Sequence, residues 1–135
     1  MILLDTHVLF WLAEGNKRLG AKARQRIAVE IDAVYISAMS FWEIATLIEK
    51  QRMTPSMPLA QWREQLLGQS GIKVEPIDAV IASDAGALPG DIHGDPSDRI
   101  IIATARALGC PLLTVDRRIL AYAAQGHVQA VDATR

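Results

Sequence analysis

Four acidic residues stand at the edges of apolar stretches, where a charged side chain calls for a reason. Asp5 closes Ile2-Leu3-Leu4, Asp116 closes Leu112-Leu113-Thr114-Val115, and Glu43 falls near a helix start. Asp98 lies in Asp95-Pro96-Ser97-Asp98-Arg99, directly ahead of the apolar run Ile100 to Ala105. A proline at the first helical position and an acid in the first turn read as a helix start, and the helix that follows is too apolar to be exposed. Free N–H groups and the helix dipole favour anions there, so each acid has a plain structural use as a cap or capping-box partner. The chemical use rests on their convergence. Unit charges about 4 Å apart repel by about 4 kcal/mol at an effective dielectric near 20, so converging carboxylates take up protons, spread apart or bind a cation. Hard oxygen ligands without cysteine or histidine suit Mg²⁺ or Mn²⁺, and acid clusters of this kind support metal-assisted phosphodiester hydrolysis.

Convergence depends on the elements that carry the acids. Ile2–Leu4 reads as a short buried strand and Thr6–Glu14 as a helix ending at Gly15-Asn16; Leu19–Ile31 is an amphipathic helix with Leu19, Ala23, Ile27 and Ile31 at four-residue spacing. Ala33–Ile36 is a second strand, and Ser40 with Glu43 three residues later reads as a capping box opening a helix from Phe41 to Gln51. A loop over Met53–Pro58 leads to a helix Leu59–Leu67. An alternating segment Ile72–Ile77, interrupted by Pro76, suits an edge strand, with a helix Ala79–Leu88 behind it. After the loop Pro89–Gly94 comes the central helix, stopped by Gly109. A strand Pro111–Val115, a helix Arg117–Ala124 and a last strand His127–Val131 complete the chain. Repeated alternation of strand and helix predicts an α/β sandwich with a mainly parallel sheet. Right-handed crossovers then bring every strand-to-helix junction to one edge, where such sheets bind ligands.

Composition narrows the partners. At 135 residues the chain fits one domain spanning residues 1–135; half its residues are hydrophobic and 21% charged, which excludes disorder. A formal net charge of −1 gives no global basic field, so a nucleic acid would have to be gripped by local patches and metal. The single cysteine, Cys110, cannot form an internal disulfide, and no apolar run approaches the ~18 residues of a membrane span. A soluble, cytoplasmic protein is expected. The basic residues Lys17 to Arg26 read as a solvated face, and Arg117 and Arg118, next to Asp116, are better placed for RNA phosphates. His7 and His93 read as surface histidines and His127 as structural. Arg99 suits either a phosphate or an acid partner.

At these residues the chain resembles the PIN-domain ribonucleases, and more narrowly the VapC-type toxins of toxin–antitoxin pairs. The resemblance is carried by Leu3-Leu4-Asp5-Thr6-His7, by Ser40-x-x-Glu43, by Asp95-Pro96-x-Asp98-Arg99 with its apolar helix, and by Leu113-Thr114-x-Asp116. It covers essentially the whole chain in order. It implies a three-layer α/β/α sandwich, Mg²⁺ or Mn²⁺ at the acids, RNA as substrate and a cognate antitoxin as partner. Asp5, Glu43, Asp98 and Asp116 would be the catalytic metal-site acids. Thr6, Ser40 and Thr114 would hold waters or orient carboxylates, and Asp95 would be a loop cap first and a ligand second. The bulk of Phe10, Trp11, Phe41, Trp42 and Ile44 exceeds what one core needs, and a homodimer or antitoxin contact is expected from it.

Two other functions are compatible with the same residues. In a phosphatase Asp5 would be a nucleophile, but such sites generally want a second acid two residues on, where His7 stands. A non-catalytic PIN-like module that only binds protein or RNA would have no need of all four acids.

Overall fold

The computed structural model describes all residues, Met1–Arg135. In chain order it contains β1 (Ile2–Leu4), α1 (Thr6–Glu14), α2 (Ala21–Val29), a 3₁₀ turn (Ile31–Ala33), β2 (Val34–Ser37) and α3 (Ala38–Glu49). These are followed by α4 (Leu59–Gln69), β3 (Lys73–Glu75), α5 (Ala79–Gly86), α6 (Pro96–Leu108), β4 (Leu112–Thr114), α7 (Arg117–Ala124) and β5 (Ala130–Asp132). All four strand pairings are parallel, in the order β3-β2-β1-β4-β5.

Period-two alternation along the central strands builds the three layers. Ile2 and Leu4 of β1 and Leu113 of β4 join one core with Val8 and Leu9 of α1, Ile27 of α2, Ile44 of α3 and Trp62 of α4. Leu3 and Leu112, facing the other way, join a second core with Ile81 of α5, Ile101 and Ile102 of α6, and Ile119 and Tyr122 of α7. Each fully buried aliphatic side chain contributes about 1.5–3 kcal/mol. The sheet is therefore clamped from both faces, which leaves its strand ends as the place for polar chemistry.

Strand order reverses between β1 and β4, because the chain steps outward through β2 and β3 and then returns to the other side of β1. The crevice outside the carboxyl ends of those two strands is where an open parallel sheet binds ligands. Asp5 and Asp116 flank it, and the Asp5 N–H donates to the Leu113 carbonyl at 2.9 Å, locking the two strand ends together.

Several element ends differ from the sequence reading. α3 begins at Ala38, three residues before Phe41, because the hydroxyl of Ser37 at the end of β2 accepts from the Met39 N–H and is the cap. Ser40 and Glu43 are thus both inside the helix, and no capping box forms between them. β5 starts at Ala130 instead of His127, and α2 ends at Val29, where the 3₁₀ turn takes over. β3 is an edge strand, as its alternation and Pro76 suggested. Phe10, Trp11 and Phe41 pack on the first core, Phe10 lying 5.8 Å from Trp62 between ring centres, and Ile44 is fully buried. Of the five bulky residues only Trp42 is largely exposed, at 58%.

Candidate functional site

Asp5 ends β1 and caps α1, with only 6% of its surface exposed. Both of its oxygens are engaged: Oδ1 accepts from the Thr6 N–H at 2.8 Å and Oδ2 from the Thr114 hydroxyl at 2.6 Å. Burial pushes its carboxyl up to about 6, the Glu43 charge adds to that, and the Thr114 and Thr6 bonds oppose it. The Thr114 hydroxyl also accepts from the Asp116 N–H at 3.1 Å, so one side chain ties two acids on two strand ends.

Asp98 sits at the third position of α6. Pro96 opens the helix, and the Asp95 carboxylate caps it by accepting from the Asp98 N–H at 3.1 Å. Asp98 is 7% exposed. Its carboxyl is pushed up to about 8 by burial first, then by the charges of Asp5, Asp95, Asp116 and Glu43.

Asp116 caps α7 through the Arg118 N–H at 2.8 Å. Glu43, one turn into α3, has a buried Oε1 without any hydrogen-bond partner. A buried acceptor left unmade costs about 1–3 kcal/mol. A bound cation would satisfy such an atom. Thr6 and Ser40 meet each other, the Thr6 hydroxyl donating to the Ser40 hydroxyl at 3.0 Å; this joins α1 to α3, and neither hydroxyl bonds a carboxylate.

Two arginines fall elsewhere. Arg99 bonds backbone carbonyls and no acid: Nε donates to the Ala85 carbonyl at 2.8 Å, and its terminal nitrogens reach Gly86, Ile92 and His93 carbonyls at 3.4 Å. It ties the loop before α6 to the helix. Arg117 is 82% exposed, with Nη1 3.9 Å from Asp132 Oδ2. Arg118, 65% exposed with Nε 3.7 Å from Asp116, is the cation at the rim.

The residue that sequence reasoning placed wrongly is His93. It is not a free surface histidine: its Nε2 lies 3.2 Å from Asp98 Oδ2, and one ligand atom each from His93, Asp98 and Asp116 lie within 4.8 Å of one another. The only signal in the chain was its position two residues before the Asp95 cap, and spacing alone cannot aim a loop side chain. Asp5 and Glu43 are outside that group of three; the oxygen donors of Asp98 and Asp116, with the His93 imidazole beside them, suit a hard divalent cation of the Mg²⁺ or Mn²⁺ kind.

A model of the PIN domain matches residues 2–125. The chain is 36% identical over 121 residues to "Ribonuclease VapC22" of Mycobacterium tuberculosis, a match covering 90% of this chain and 91% of that protein. Among solved structures it resembles a toxin–antitoxin complex from Klebsiella pneumoniae, with a TM-score of 0.68 at 19% identity over 98% of both chains. It also resembles VapBC2 from Rickettsia felis bound to a promoter DNA fragment, with a TM-score of 0.67 at 17% identity over 97% of this chain and 98% of that one. At those identities the two structures establish the fold.

Proposed function

Because the chain belongs to the PIN-domain family, with a VapC protein as its relative at 36% identity, we propose that it is a metal-dependent endoribonuclease and the toxin of a toxin–antitoxin pair, working in the cytoplasm as one domain. The observation that carries this reading is the gathering of Asp98, Asp116 and His93 within 4.8 Å at the strand-order switch between β1 and β4, with Thr114 tying buried Asp5 to Asp116. Asp5, Glu43, Asp98 and Asp116 would hold Mg²⁺ or Mn²⁺. When bound, the ion polarises the scissile phosphate and lowers the pKa of a water.

The chain's own groups do the positioning. The Thr114 hydroxyl and the Thr6 N–H fix the Asp5 carboxylate from two sides, and the strand pairing under it leaves no freedom to swing. Asp98, held in the first turn of α6, presents its carboxyl beside Asp116 and His93. Burial of Asp5 and Asp98 excludes bulk water, so their fields act at low dielectric. Arg118 at the rim offers a cation to an RNA phosphate beside the cut, a contact that positions without reading sequence.

The solved neighbours named above include a toxin–antitoxin complex and a VapBC assembly, which supports an antitoxin partner for this chain. A basic antitoxin tail would meet the acidic edge, and the exposed Trp42 supports a homodimer or antitoxin contact. The test of the activity is cleavage of single-stranded RNA with Mg²⁺ or Mn²⁺, abolished by EDTA and by Asp98→Asn. Undiminished cleavage by metal-free protein would refute the mechanism.

A further inference from the structure

The loop between α5 and α6 has no regular structure, yet it is pinned from three directions. Arg99 holds carbonyls at both of its ends, Ala85 and Gly86 on one side and Ile92 and His93 on the other. The Tyr122 hydroxyl donates to the Pro89 carbonyl. Gly90, at a φ of +73°, passes so close to the His127 ring that a Cβ there would stand 2.6 Å from Nε2. Fixing the backbone of a loop costs about 1–2 kcal/mol per residue, so contacts this numerous mark a loop whose position matters.

What the loop delivers is one imidazole. Nδ1 of His93 accepts from the Asp95 N–H at 3.3 Å, so in the neutral ring the proton sits on Nε2. Nε2 in turn lies 3.2 Å from Asp98 Oδ2. That N–H is buried and has no aligned acceptor, so a small rotation of ring or carboxylate is all that separates contact from hydrogen bond. Hydrogen bonds at reaction centres are often loose in the unliganded protein and tighten when the site is filled.

We propose that His93 is a positioning residue for Asp98: the Nε2–H holds one carboxylate oxygen so that the other faces the metal, and Arg99 acts at one remove by holding the His93 loop. The imidazole bridges the backbone at the cap of α6 and a carboxylate three residues into it. It therefore couples the loop to the helix that carries the acid. Outer partners of this kind fix the orientation of metal-binding carboxylates, and their loss weakens metal binding about 10–100-fold. The proposal deepens the metal-site reading above and rests on it. It does not depend on which RNA is cut.

The tautomer is read first, in metal-free protein labelled with ¹⁵N, from the nitrogen shifts of the imidazole. A protonated Nε2 and a bare Nδ1 are expected for His93, and a proton on Nδ1 would overturn the proposal. Mn²⁺ binding is then followed by electron paramagnetic resonance for the unsubstituted chain, His93→Ala and His93→Gln. His93→Ala is expected to bind Mn²⁺ about 10–100-fold more weakly. His93→Gln, whose amide N–H can take the place of Nε2–H, is expected to recover most of the loss. Parent-like binding by His93→Ala, or a His93→Gln variant that folds and is no better than His93→Ala, would refute it. So would directly coordinated ¹⁴N coupling from His93 in the Mn²⁺ spectrum, which would make the ring a ligand. Failure of the unsubstituted chain to bind Mn²⁺ at all would instead overturn the metal reading of the site, and the nitrogen shifts would still decide the His93 contact.

Discussion

Asp5→Asn separates a helix cap from a metal-site acid, because the two roles assign it opposite effects on stability. The asparagine keeps an oxygen that accepts from the Thr6 N–H, so the cap of α1 survives. What it removes is a buried charge. The carboxyl of Asp5 is pushed up to about 6 from an ordinary 3.8, chiefly by burial. That gap corresponds to about 3 kcal/mol. The sign follows from proton uptake: below about pH 4 both folded and unfolded chains hold the proton and nothing is lost. Between about pH 4 and 6 the unfolded chain releases it while the folded chain keeps it, so stability falls; above about pH 6 the loss is complete. The asparagine variant has no such loss, although the amide nitrogen that replaces Oδ2 cannot accept from the Thr114 hydroxyl, at a cost of about 1 kcal/mol. The expected outcome is a metal-free variant less stable than the parent by about 1 kcal/mol near pH 4 and more stable by about 2 kcal/mol near pH 8. For a chain of this length the gain is roughly 6 °C in melting temperature. Mn²⁺ at about 100 times its dissociation constant should stabilise the parent by about 2.7 kcal/mol and the variant hardly at all, erasing the variant's advantage. Thermal unfolding across pH, with and without Mn²⁺, is the assay, alongside RNA cleavage, which should collapse. A stability difference that does not change sign between these pH values would refute the burial account of Asp5, and equal stabilisation of both proteins by Mn²⁺ with cleavage intact would show that Asp5 is only a cap.

Thr114→Val should cost about 1–3 kcal/mol in urea unfolding, because it strips a buried acceptor from the Asp116 N–H and a donor from Asp5, and should slow RNA cleavage; Thr114→Ser should restore both. Asp95→Asn should leave cleavage and stability near the parent's, whereas Asp95→Ala should lose about 1 kcal/mol of stability, since the side chain serves as the cap of α6. A collapse of cleavage in Asp95→Asn would instead make it a ligand. Trp62→Ala should cost about 3–5 kcal/mol in denaturant unfolding by opening the core beneath α4, where Trp62 lies against Phe10. A loss under about 1 kcal/mol would show that α4 packs only loosely on that core.

The chain-local features were open to reading from sequence, because their causes lie within a few residues. α1 runs from Thr6 to Glu14 and α7 from Arg117 to Ala124, as their caps and apolar spacing dictated, and α6 starts at Pro96 and stops before Gly109 for the same reasons. Gly109 is at a φ of +62°, which its lack of a Cβ permits, and it ends the helix. Three acids at the ends of β1, β4 and the loop before α6 could be placed on one edge by handedness alone. Where two local signals competed, tertiary contact decided. Ser40 and Glu43 have capping-box spacing, but Ser37 lies nearer the end of β2 and takes the cap, which frees Ser40 to meet Thr6 from 34 residues away.

Only the folded chain could decide the rest, since it concerns groups that meet through space. The Thr114 hydroxyl reaches Asp5 across 109 residues of sequence, and no periodicity encodes that bond. Arg99 follows Asp98 directly, yet its guanidinium turns to carbonyls of Ala85 and Gly86, because a helix sends successive side chains about a hundred degrees apart. His93 belongs to a loop whose path is set by Arg99, Tyr122 and Gly90, so its approach to Asp98 is a property of packing. The sequence determined which charges this protein carries and the edge they occupy. The tertiary structure determined how far each is buried and what touches it, and burial raises the electrostatic cost of a charge that has no partner.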